Sequence, residues 1–96
     1  MKYVVMHVMN KAGLDLEIPF IFPDIIVHLY MATICKPLLE EHFKEADITV
    51  VSAGFCSSTA FEDECYGQSE SLGVKSRPER DSHLIKMCDY GSMFNA

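Results

Sequence analysis

The residues with reactive side chains are four cysteines, four histidines and a short run of cations. The cysteines, Cys35, Cys56, Cys65 and Cys88, are spread through the chain. A structural zinc site usually places Cys or His ligands in pairs two to five residues apart, so that one turn presents both to the metal. Cys56 and Cys65 have eight residues between them, and no two histidines have ligand spacing. His83 and Cys88 are five apart in a stretch that reads as helix, so they point in different directions. No metal and no other cofactor is expected. A cysteine phosphatase loop needs an arginine six residues after its nucleophile. Glu62 holds that place after Cys56, and Ser71 after Cys65. A Cys–His enzyme needs no local spacing, so Cys56 or Cys65 working with a histidine stays open as the alternative function. Glu40-Glu41 and Glu62-Asp63-Glu64 could be read as acid–base pairs, but surface acid in runs is commonly a solvated face.

The segment from Gly67 to Asp81 holds the strongest binding signal. Lys75, Arg77 and Arg80 are three of the chain's eight cations within six residues, beside Ser76. Pro78 fits the first position of a helix, where backbone N–H groups point outward and favour anions. The spacing of Gly67, Gly73 and Lys75 is not that of a phosphate loop. Lys75, Ser76, Arg77 and Arg80 are therefore the candidate binding residues, as a contact surface for an anionic partner and not as a catalytic group. The competing reading is a loop entering a helix, with Ser76 or Arg77 near the cap and Glu79 and Asp81 balancing the charge.

These residues need a scaffold, and the pattern supplies one. Lys2–Met9 is rich in Val and Tyr and reads as a strand. Asn10-Lys11-Ala12-Gly13 is a turn, and Leu14–Phe22 a second strand, completing a hairpin. Pro19 cannot donate to a ladder, which assigns that strand to a sheet edge. Asp24–Cys35 reads as a helix opened by Asp24 and apolar in almost every direction. Pro37 then starts a second helical piece to Glu45, so the expectation is a broken central helix. Ile48–Cys56 alternates as a strand, Phe61–Ser69 pairs with it as a second hairpin, and Pro78–Cys88 is a short final helix. Residues 89–96 read as a polar tail that can fray. The fold expected is α+β: a two-layer sandwich of two β-hairpins in a mostly antiparallel sheet, packed with the broken helix and the C-terminal helix, as one domain over 1–96.

Composition narrows the function. The chain has 96 residues, 49% of them hydrophobic, enough for a core without a metal or a disulfide. Its net charge of −6 disfavours direct binding to nucleic acid, which rewards a basic surface. An acidic face mimicking nucleic acid would need Glu40, Glu41, Glu45 and the Glu62–Glu64 run to lie together. The apolar stretch Ile18–Cys35 is interrupted by Pro19, Pro23, Asp24 and His28, and so does not read as a membrane span. No leader segment is legible, which implies a cytoplasmic protein with reduced thiols.

Several strings resemble those of small uncharacterised proteins encoded by tailed bacteriophages and prophages. They are Met1-Lys2-Tyr3-Val4-Val5, Pro19-Phe20-Ile21-Phe22-Pro23-Asp24, Val51-Ser52-Ala53-Gly54-Phe55, and Cys65-Tyr66-Gly67 through Ser69-Glu70-Ser71-Leu72-Gly73 to Ser76-Arg77-Pro78-Glu79. The resemblance implies work in a bacterial host cytoplasm, and assigns no activity or residue role. Together these readings predict a small acidic, non-enzymatic protein that binds another macromolecule, as a phage accessory or counter-defence factor. A homodimer through part of Ile25–Ile34 or through a sheet edge is expected, with a protein as the further partner.

Overall fold

The computed structural model describes residues 1–58 and 63–88. The Val-rich Lys2–Met9 segment forms β1, and Asp15–Phe22 forms β2, antiparallel in a register that sets Lys2 opposite Phe22 and Met9 opposite Asp15. The turn between them is closed by Asn10, whose Oδ1 accepts the N–H groups of Ala12 and Leu14 at 2.9 and 3.0 Å. Gly13 takes φ of 100°, which a side chain would resist. The strand Asp47–Ser58, β3, pairs antiparallel with the other side of β1, and Asp63–Tyr66, β4, pairs with the end of β3. The sheet order is β2-β1-β3-β4, so β2 is an edge strand, where Pro19 belongs. Between β1 and β3 the register shifts after Val5, and Val51 is the extra residue. Gln68–Ser69, β5, and Val74–Lys75, β6, make a small separate hairpin.

The α+β class is the one the structure shows. Its layering departs from the two-layer expectation, because the two helices cover opposite faces of the sheet. Helix α1, His28–His42, packs Ala32 and Leu39 against Val4, Met6, Val8, Phe22, Ile48 and Ala53. Helix α2, Pro78–Met87, packs Ile85 against Tyr3, Val5, Cys56 and Cys65. Successive residues of β1 point to opposite faces, so Val4 and Met6 serve α1 while Tyr3 and Val5 serve α2.

The broken central helix is also corrected. α1 starts at His28 and runs without interruption through Pro37 to His42. Asp24 does not open it; its carboxylate lies 3.1 Å from the Met1 amino group, and a turn closed by the Ile26 N–H on the Pro23 carbonyl precedes the helix. Pro37 withholds a donor from the Thr33 carbonyl, but both residues lie on the exposed side, where water can take that bond. The expected tail over 89–96 and the start of the Phe61–Ser69 strand at 61–62 lie outside the described residues. No helix among the described residues is long and apolar enough to cross a membrane.

Candidate functional site

The cationic segment folds into two different surroundings. Lys75 closes β6 opposite Gln68 and is exposed. Ser76 follows, its N–H donating to the Gly67 carbonyl at 3.0 Å. Arg77 is the N-cap of α2 and Pro78 its first residue, as the spacing predicts. Arg77 and Arg80 are brought together on one acceptor, Glu17 of β2; Lys75 is not among them. Two Arg77 nitrogens reach the two Glu17 oxygens, at 3.3 Å from Nη1 and 2.7 Å from Nη2, and Arg80 Nη2 donates to the same carboxylate.

Arg77 also faces inward. Its backbone N–H and Nε donate to Asp81 at 2.8 and 3.1 Å, while the Asp81 N–H returns a bond to the Arg77 carbonyl. This resembles a capping box with the acid one position later. Asp81 is fully buried, and its remaining partners come from the sheet: Tyr3 Oη donates to Oδ2 at 2.5 Å and Ser52 Oγ to Oδ1 at 2.9 Å. Burial, and then the Asp81 carboxylate, push the Tyr3 phenol far above its usual range, so it remains a donor. Hydrogen bonds from Arg77 hold the Glu17 carboxyl below its ordinary value against an opposing effect of burial. His7 Nε2, 2.6 Å from Asp15 Oδ1, lies at the outer side of the network. Glu17, Tyr3 and Ser52 were not legible as site residues, and Asp81 was legible only as a charge balancing the cations near the cap. Only the four-residue spacing of Arg77 and Asp81 after a helix-starting proline hinted at their pairing.

On the α1 side lies a cleft of about 570 Å³, lined among others by Lys2, His28, Phe55, Glu70 and Ser71. His28 is buried between Phe22 and Phe55, edge-on to both rings, and its Nε2 meets the Gly54 carbonyl at 2.8 Å. A carbonyl can only accept, so Nε2 carries a proton and, in the neutral ring, Nδ1 keeps the lone pair. Ser71 takes the Leu29 N–H at 3.1 Å, which docks the β5–β6 hairpin on the start of α1. Phe55 stacks on Tyr66 across the β3–β4 pair.

The thiols lie elsewhere. Cys56 and Cys65 are buried beneath α2, and neither lines this cleft. Cys35 is buried in α1, and burial pushes both its thiol and that of Cys88 up, away from the reactive thiolate. Among the described residues no three of His, Cys, Asp and Glu converge as metal ligands. The Glu62–Glu64 run proposed to share a face with Glu40, Glu41 and Glu45 lies partly outside the described residues, at Glu62 and the Asp63 side chain.

The outer face of α1 departs from an ordinary surface. Tyr30, Ile34 and Leu38 are 63%, 41% and 62% exposed, and Val27 before them is half exposed. Their spacing of four makes one ridge, turned away from the buried His28, Ala32, Cys35 and Leu39. Ile25, in the turn before the helix, is 90% exposed. This second apolar stripe is why the segment looks apolar in every direction as a sequence. Comparison of the chain with protein-family models, with curated proteins and with solved structures finds no match to any of them.

Proposed function

We propose that this is a small non-enzymatic binding protein that works as a symmetric dimer, with α1 packed against α1 of a second copy. The observation that carries the reading is the exposed ridge of Tyr30, Ile34 and Leu38. Contiguous apolar surface of this kind marks interaction sites in water-exposed proteins. The charges around the ridge favour a second copy running antiparallel. Glu41 follows Ile34 by seven residues on the same side of the helix, and Val27 precedes Ile34 by seven. With the two-fold axis at Ile34, Glu41 of each copy sits by the start of the other α1. At that start Val27 supplies no side-chain cap and the first turn holds no acid, Ser71 taking only the Leu29 N–H, so a carboxylate there is favourable.

The resemblance to phage and prophage proteins supports a place of work in an infected bacterial cytoplasm, as an accessory or counter-defence factor acting on a protein. Lys75 and the exposed guanidinium of Arg80 are the cationic surface left for such a partner.

Light scattering tests the dimer. The expected mass is twice the 10.8 kDa of the chain, and Ile34→Asp should give the single-chain mass with an unchanged circular dichroism spectrum. A wild-type chain that stays single at high concentration overturns the reading.

A further inference from the structure

We propose that Cys56 and Cys65 form a reversible redox pair, a dithiol that closes to a disulfide across β3 and β4. The two residues are direct partners in the antiparallel register, so their side chains stand on the same face of the sheet. Opposed residues in such a ladder have Cα atoms roughly 4.5–5.5 Å apart, inside the window of roughly 4.4–6.8 Å that a disulfide spans. Both thiols are buried under α2 with Tyr3 and Ile85, which holds them together and away from other cysteines. Cys35 belongs to α1, on the opposite face of the sheet.

The oxidant class is a small disulfide such as oxidised glutathione. One cysteine loses its proton and attacks a glutathione sulfur, breaking that S–S bond and releasing one glutathione thiolate. The second cysteine, also deprotonated, attacks the first cysteine's sulfur and releases the other glutathione. The protein has lost two protons and two electrons, and the oxidant leaves as two thiols. β4 has only four residues and lies at the sheet edge, so its local opening admits the reagent.

The bond would clip β4 to β3. β4 carries Tyr66, which stacks on Phe55 of the His28 cleft, and the Cys65 N–H donates to Ser82 of α2 at 3.0 Å. The link therefore stiffens the strand that joins the cleft wall to α2. Closing so short a loop raises the melting temperature by roughly 10 °C in a chain of this size.

The test uses folded wild-type protein, reduced and then incubated with oxidised glutathione. The expected result is a mass lower by two hydrogens, a peptide map joining Cys56 to Cys65, a higher melting temperature, and full reversal by dithiothreitol. A Cys35→Ser, Cys88→Ser double variant should respond in the same way, while Cys56→Ala should not. Retention of all four thiols by the folded wild type, under conditions that cross-link the denatured chain, overturns the proposal. So does a bond that maps to Cys35 or Cys88, or a lower melting temperature of the linked form.

Discussion

Tyr3 Oη donates a 2.5 Å hydrogen bond to Asp81 Oδ2 across 78 positions of sequence, and both side chains are fully buried. That bond, with Ser52 on the other oxygen, ties the first strand and the third to the last helix. The carboxylate is also where Arg77 caps its own helix. One buried acid therefore sets both the start of α2 and its seat on the sheet. Asp81→Ala leaves Tyr3, Ser52 and the Arg77 N–H and Nε without their acceptor, and should cost about 3–5 kcal/mol in urea unfolding. Tyr3→Phe removes one donor and should cost about 1–3 kcal/mol.

The two arginines on Glu17 should separate by mutation. Arg77 is largely enclosed and bonds Glu17 and Asp81, whereas the Arg80 side chain is 64% exposed. Arg77→Ala should lower stability by about 3 kcal/mol, and Arg80→Ala by less than about 1 kcal/mol. Thermal melts of the two variants check this. Equal losses would mean that Arg80 carries as much of the α2–β2 contact as Arg77.

Stability should fall in acid through Glu17. Its folded carboxyl titrates below its usual value of 4.5, because Arg77 bonds the charged form. The contribution is thus complete above pH 4.5 and is lost as pH falls from there toward the folded value. Glu17→Gln should reduce stability at neutral pH and flatten the slope of urea unfolding free energy against pH in that acid window. A slope unchanged by the substitution would assign the acid sensitivity to other carboxyls.

Gly54 is a place where only glycine fits. A Cβ there would come 2.4 Å from the Tyr66 carbonyl oxygen and 3.2 Å from the Ser76 Cβ. The oxygen belongs to backbone and cannot swing aside. Gly54→Ala should therefore push β4 from β3 and cost more than about 2 kcal/mol, read as a lower melting temperature. Gly13→Ala meets nothing within 4 Å and should cost less, through its φ of 100° alone.

Local order in this protein is legible without its fold. The Val- and Tyr-rich Lys2–Met9, the Asn10–Gly13 turn and a proline in the following strand were enough to specify an antiparallel hairpin with an outer strand. Pro78 was enough to mark the start of α2. Each of these rests on backbone geometry within a few residues. The sequence also carries the apolar ridge of α1, but hidden, since the buried and exposed stripes of the helix are equally apolar. Only the sheet decides which stripe is covered, by presenting Val4, Met6 and Val8 to Ala32 and Leu39. The run of α1 through Pro37 was equally illegible, because the cost of a lost hydrogen bond depends on whether that carbonyl meets water or core. The pairing of Tyr3 with Asp81, and the sharing of Glu17 by two arginines, required strands and a helix far apart in the chain to meet on one face of the sheet. No spacing along the chain encodes such a meeting; it follows from which face of β1 each helix covers.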